Sequence, residues 1–415
     1  MKISPVIVIG LVVTILSLVL FISGPGFVQA ISNNAYDAFL RQTCREPQSD
    51  VVVIVDINEQ SLSREEYGQW PWPRHLVAKL NDRILELGAS VVAYDIVFAE
   101  CDRTSPSAVE NSINRHFDLN VTMSGIPEEV RDFDALFANS LRRGKTILGC
   151  YMRYSTNPGD VDMTVDQLFA PRYFAIGKGD ITNHLLRADQ ITISIPKLTD
   201  ASVSAYFNAF PDDDNIVRSN PLVWGYGERI YPALALEAIR LYKNVPQGNI
   251  RYDEQGILHV RLKDEIIPTD SAGRIVVNYR KVKKDIRTGF TSSFPSYSAA
   301  DVIEGKLSPG VFKGKIVFVG TSAVGLRDVK ATPVSAEFSG VEVHATIVDN
   351  ILAGDILQIP LGMVAVQALA IIIVGVFLTL FIKKSRSWLS FLMSLAIILG
   401  LLKVSLVILE KYHLV

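Results

Sequence analysis

Hydrophobic positions along the chain fall into three patterns, and the longest unbroken runs set the first expectation. Residues 6–22, 359–382 and 388–409 are largely apolar, each close to the roughly 20 residues a helix needs to cross a bilayer. The second run carries no charge. The third carries only Lys403, about two turns from its end, where a lysine can snorkel to the interface.

A second pattern lies between the first and second runs. Residues 51–57 are almost continuously apolar and rich in valine, which predicts a strand covered on both faces. Over 74–87, Leu76, Leu80, Ile84 and Leu87 recur at helical spacing, and Gly88 suits the position that ends such a helix. Residues 91–98 predict a second buried strand. A strand–helix–strand unit implies parallel pairing and a right-handed crossover. The pattern repeats with a helix over 133–141, Gly144 as its stop and a strand over 146–151. Residues 157–200 show weak periodicity and read as loops. Pro232 is expected in the first turn of a helix running to Tyr242. A buried strand at 315–319 and a helix at 341–352 lead into the second apolar run.

The third pattern is alternation of polar and apolar residues over 258–277, around Pro268 and Gly273, which predicts a peripheral hairpin. The expected fold class is therefore α/β, a mostly parallel sheet with helices on both faces and a β-rich insertion, plus transmembrane helices. The domains implied are an N-terminal anchor at 1–29, an exported domain at 30–355, and transmembrane helices at 356–383 and 387–410.

Charge changes the picture by orienting the spans. Lys383, Lys384 and Arg386 fill the turn between the second and third runs, and positive turns stay in the cytoplasm. Residues 30–355 are then extracytoplasmic and the N-terminus, with Lys2, is inside. The first run has a rival reading, because Phe27-Val28-Gln29-Ala30 ends in a small-x-small pattern that a signal peptidase cuts. A single lysine before it and the length of the run favour an uncleaved anchor, and either reading exports the middle region. Over all 415 residues the net charge is −2, so neither a polybasic field for nucleic acid nor an acidic tail is present. Three cysteines, Cys44, Cys101 and Cys150, allow one intramolecular disulfide, with Cys101 and Cys150 the expected pair and three free thiols the alternative. No zinc-ligand spacing occurs, and no cofactor is implied.

Four features carry candidate chemistry. Gly320-Thr321-Ser322-Ala323-Val324-Gly325 follows a strand like a phosphate-binding loop, but Leu326 and Arg327 stand where that motif needs lysine and a hydroxyl. A tight strand-to-helix turn is the commoner use, and a non-covalent ligand loop the alternative. Asp56, Asp95, Glu100 and Asp102 fall near strand ends, with Asp56 and Asp95 late in two strands expected to be neighbours. Open α/β sheets bind ligands outside the carboxyl ends of their strands, so Asp56, Asp95, Thr321 and Ser322 form the candidate ligand site. Capping of loop amides or pairing with Arg74 is the ordinary use of such acids, and no nucleophile or histidine supports catalysis. Asp212-Asp213-Asp214-Asn215 lacks the spacing, glycine and closing glutamate of a calcium loop and reads as a turn. Trp70 and Trp72, set among prolines, stack a ligand or plug the edge of a core.

The exported segments resemble the CHASE2 domain, a bacterial extracytoplasmic sensory domain. The resemblance runs through Val53-Ile54-Val55-Asp56-Ile57, Gly68-Gln69-Trp70-Pro71-Trp72-Pro73-Arg74, Tyr94-Asp95-Ile96-Val97-Phe98-Ala99-Glu100 and Pro211-Asp212. It continues through Asn278-Tyr279-Arg280, Gly314-Lys315-Ile316-Val317-Phe318-Val319-Gly320-Thr321, Ala331-Thr332-Pro333, Gly340-Val341-Glu342-Val343-His344-Ala345 and Asp349-Asn350. It covers about residues 35 to 355. It implies a sensor in the bacterial plasma membrane, placed ahead of a cytoplasmic cyclase or kinase, and supplies no binding residues. The expectation is a receptor half, not an enzyme. It is embedded in the lipid bilayer, works as a homodimer, reads a small-molecule, ion or protein stimulus, and does not bind nucleic acid. The alternative is an assembly protein whose exported domain binds a partner protein. Three spans from an inside N-terminus leave the C-terminus outside, so a further span and an output module are expected beyond Val415 or on a separate subunit.

Overall fold

Strand β1 (Val52–Ile57) is buried at every residue, as its continuous apolar run requires. In the computed structural model, residues 4–153, 172–284, 291–323, 329–358, 360 and 362–414 are described. Residues 324–328 of the glycine-bounded loop and 154–171 of the weakly periodic stretch fall outside them. The chain divides into two units, Arg45–Ile356, and Met1–Cys44 with Leu357–Val415.

In the first unit, α1 (Arg74–Glu86) follows β1 and leads to β2 (Val91–Tyr94). α2 (Phe133–Leu141) leads to β3 (Thr146–Arg153), followed by β4 (Gln190–Thr192) and β5 (Val203–Tyr206). After α3 (Leu234–Tyr242) come β6 (Ser296–Ser298), β7 (Ile316–Thr321) and α4 (Gly340–Ala353). These strands make one seven-stranded sheet in the order β6-β1-β7-β2-β3, with β4 and β5 both paired to β3. All its pairings are parallel except β3 with β4. The fold is therefore the mostly parallel α/β sheet that the patterning predicts.

Alternation along the strands divides the core. Val53, Val55 and Ile57 of β1, with Val317 and Val319 of β7, point to the face covered by α1 and α2, through Leu76, Leu80, Ile84, Phe137 and Leu141. Successive side chains point to opposite faces, so Asp56 and Gly320 turn toward the other face, where α4 packs. A Cβ at Gly320 would stand 2.8 Å from the Val341 Cβ, so glycine is what lets α4 come down on the sheet at this point. Smaller sheets, some mixed and some antiparallel, complete the unit. One contains the expected hairpin, Gly256–Leu262 with Glu265–Pro268.

Three expectations change. β2 ends at Tyr94, short of residue 98, because the following backbone is used elsewhere: the Ile96 carbonyl accepts from the Gly149 amide, and the Phe98 amide donates to Ser194 Oγ at 3.0 Å. Pro232 closes the strand Arg229–Pro232 before α3 starts at Leu234. A strand end suits a residue with no N–H to give. β1 and β2 are parallel but not neighbours, because β7 lies between them.

Among the described residues the second unit holds three helices apolar and long enough to span a membrane, Pro5–Ser23, Met363–Lys384 and Ser387–Tyr412. It also holds a mixed helix, Gly26–Thr43, whose weak pattern gave no sequence signal. The first and second apolar helices interlock through small residues. A Cβ at Gly10 would meet Thr379 Oγ1, and a Cβ at Gly375 would meet Thr14 Oγ1. Each threonine hydroxyl donates back to the carbonyl of the glycine four residues earlier, Thr14 to Gly10 at 2.8 Å and Thr379 to Gly375 at 2.7 Å. Close backbone approach at small residues is how helices pair in lipid. The second and third helices fold back on each other, so that the Gln358 amide donates to the His413 carbonyl at 2.8 Å.

Candidate functional site

The sheet delivers the sequence-predicted residues to its carboxyl edge. Asp56 pairs in register with Gly320, and Ile57 with Thr321. The Asp95 amide donates to the Val319 carbonyl at 2.8 Å, which sets Asp95 just past β2 on the far side of β7. Ser322 Oγ donates to Asp56 Oδ2 at 2.5 Å. Asp56, Thr321 and Ser322 thus form one corner, with Asp95 one strand further on. Two strand spacings separate the Cα atoms of the two acids, about 10 Å. Among the described residues no group of three or more His, Cys, Asp or Glu side chains is placed to hold a metal.

Glu342, which the sequence presented only as part of a resemblance, faces the same corner. It lies in the first turn of α4 and is 1% exposed. Its Oε2 accepts from the Ser293 amide at 2.9 Å, while Oε1 is buried with no hydrogen bond among the described residues. Burial pushes its carboxyl up to about 7, and the nearby Asp56 charge adds to the rise. Asp56, 3% exposed, is pushed up to about 6 by burial, with the Ser322 hydrogen bonds pulling the other way. Neither acid forms an ion pair with a cation among the described residues.

Asp56 opens on a groove of about 870 Å³ that runs along β1 and β6 past Asn58, Ser293, Tyr297 and Ser298. The floor beside it is pinned by a hydroxyl network. The Ser61 and Ser298 hydroxyls lie 2.9 Å apart, and Asn58 Oδ1 accepts from both at 3.0 Å. The groove's rim charges are paired, Lys283 with Glu46 at 2.6 Å and Lys315 with Asp50 at 3.1 Å.

The other end of α4 is locked by ions. Fully buried Arg280 directs Nε to Asp349 Oδ2 at 2.6 Å and Nη1 to Asp355 Oδ2 at 2.5 Å. Asp349 Oδ1 also accepts from the Ser49 amide at 2.6 Å, just before β1. Asn350 and Asn278 exchange two hydrogen bonds, 2.9 and 3.0 Å. One helix therefore touches the carboxyl edge of the sheet at its start and a buried ion network at its end. Sequence reading missed this network. The signal was weak: Asp349 stands in a largely apolar helix, but Arg280 is followed by Lys281, Lys283 and Lys284.

The remaining candidates have structural occupations. Asp102 accepts from the Arg74 amide at 2.6 Å and from Thr104 and Ser105. Burial pushes its carboxyl up, but these bonds outweigh it and hold Asp102 below the usual carboxylate range. The Glu100 side chain pairs with Arg103 at the surface, while its carbonyl accepts from Arg74 Nη2. Asp212 and Asp214 hold Arg218 at 3.0 and 2.8 Å across a turn in which Asn215 adopts φ 64°. Trp72 is 1% exposed and donates to the Gly68 carbonyl, so it plugs the core, with Trp70 tilted against it. Cys101 and Cys150 are both free: Cys150 is buried within β3 and Cys101 is exposed, so the expected pairing does not occur.

The family model of the CHASE2 domain matches residues 10–382 of the chain. Among curated proteins none matches it, and among solved structures none does either.

Proposed function

The chain belongs to the CHASE2 domain family, and from that premise we propose that its exported domain reads a stimulus at the Asp56–Ser322 corner and transmits it through α4. The family is one of extracytoplasmic sensory domains, not catalysts, and three helices able to span a membrane fit a membrane protein. In our reading residues 30–355 face the outside of a bacterial plasma membrane, with Lys383, Lys384 and Arg386 in the cytoplasm. The bilayer is the second unit's solvent and a homodimer is its working form. The signal passes to a cytoplasmic output such as a cyclase or kinase.

One observation carries this reading. Helix α4 begins against the site, where Val341 fills the space left by Gly320 and Glu342 lies near Asp56. It ends in the Arg280 network, and residues 354–362 then join it in sequence to the second apolar helix. A stimulus drives such a device only by binding its two arrangements unequally. Asp95 and Thr321 are proposed to contact the stimulus, since both are only partly buried at the strand ends.

Thermal-shift screening of the full chain in detergent, against small molecules and ions, tests the proposal. A saturable rise in melting temperature that Asp95→Asn weakens without loss of folding supports it. Stabilisation only by another protein replaces it with the partner-binding alternative.

A further inference from the structure

Asp56 and Glu342 come from sequence positions far apart and lie near each other where α4 packs on the sheet, close enough for the Asp56 charge to act on Glu342. Their environment supplies serine donors but no cation. Asp56 has the hydroxyl and amide of Ser322. Glu342 has the Ser293 amide, with the Ser292 and Ser293 hydroxyls beside it, and a second oxygen buried with no hydrogen bond among the described residues. An ionised carboxylate in a dry site calls for several donors or a cation.

The charged groups on the surrounding elements do not supply one. On α3, Arg240 and Glu237 hold each other at 2.5 Å. Beside α4, Arg280 is taken by Asp349 and Asp355. On α4 itself, His344 Nε2 lies 2.8 Å from the Phe207 carbonyl. β7 presents no ionisable side chain, and Asp95, beyond it, is another acid. Along the groove, Lys283 and Lys315 are held by Glu46 and Asp50. Two like charges at one buried contact raise the cost of ionising both. The groove gives solvent access to Asp56 and therefore a route for a proton in and out.

We propose that Asp56 and Glu342 together form a proton-binding site, and that the stimulus this domain reads is external acidity. The inference rests on the sensory reading above and names its ligand. With a proton held by the pair, α4 sits down on β1 and β7. When both acids release their protons to solvent, two unneutralised negative charges face each other across that contact. Their repulsion pushes the first turn of α4 away from β1. Burial already holds both groups above the usual carboxylate range, so the change falls near neutral pH.

The test uses the full chain in detergent, with melting temperature followed from pH 5 to pH 8 for the native protein, Asp56→Asn, Glu342→Gln and the double variant. The native protein is expected to lose about 5–10 °C over this range. Each single amide, which cannot ionise, should remove part of that loss, and the double variant most of it. An undiminished loss in all three variants overturns the proposal. Should an amide variant fail to fold, infrared difference spectra of the native protein decide. A protonated-carboxyl band that disappears between pH 5 and pH 8 supports the site, and its absence overturns it. Because these readouts follow the protons themselves, they can fail while a ligand-induced thermal shift still upholds the sensory reading, and the reverse.

Discussion

Arg280 Nε stands 2.6 Å from Asp349 Oδ2 with both side chains fully buried, and this contact fixes the end of α4 to the Asn278-Tyr279-Arg280 segment. Breaking a buried pair from one side leaves an uncompensated charge, which costs about 3–5 kcal/mol. Arg280 also holds Asp355, so Arg280→Met strips the cation from two acids and is expected to lower unfolding stability by at least about that amount, measured by urea denaturation of the full chain in detergent. Asp349→Asn, which leaves Arg280 paired with Asp355, should cost clearly less. Equal losses would show that shape rather than charge sets the effect.

The pH dependence of stability has a definite sign. Both acids are raised in the folded protein, to about 6 and about 7, and titrate near 4 when unfolded. Between pH 4 and 7 the folded state binds more protons than the unfolded state. Stability is then full below about pH 4 and falls as pH rises through 6 to 7. The loss attributable to the pair is on the order of a few kcal/mol. Denaturant midpoints at pH 5 and pH 8 measure it, and a midpoint that rises with pH would contradict it.

Topology is checked by accessibility of cysteines to an impermeant reagent in intact cells. Native Cys101 is exposed and, if its unit is exported as proposed, should label from outside. In a background without native cysteines, Asp200→Cys should label and Ser385→Cys, between the two basic patches of the turn, should be protected. The reverse pattern would invert the whole membrane reading.

Helix packing in the second unit turns on Gly375, where any Cβ meets Thr14. Gly375→Leu should force the first and second apolar helices apart. Disulfide cross-linking between cysteines placed at residues 10 and 379 should drop severalfold, while expression and export persist. Unchanged cross-linking would exclude the close approach.

Coupling through α4 predicts that several glycines inserted after Ala353 uncouple stimulus from output without preventing export. The measurement is output activity in cells where the insertion variant replaces the native receptor. Full response in the insertion variant would rule out this route.

By itself the sequence determined whatever depends on near neighbours. The apolar runs, long enough to span a bilayer, correspond to the helices Pro5–Ser23, Met363–Lys384 and Ser387–Tyr412. The 3.6-residue spacing of Leu76, Leu80 and Ile84 appears as α1, and Phe133–Leu141 as α2. The parallel α/β class followed from strands alternating with helices. Periodicity is a local property, so these features survive without knowledge of the partner. Strand order is not local: β7, more than 200 residues after β2, enters between β1 and β2 and carries Ser322 to Asp56. Nor is the state of a charge. Glu342, Arg280 and Asp349 look in sequence like any charged residues. Only tertiary packing buries them, and burial decides which are paired and which are left to hold a proton.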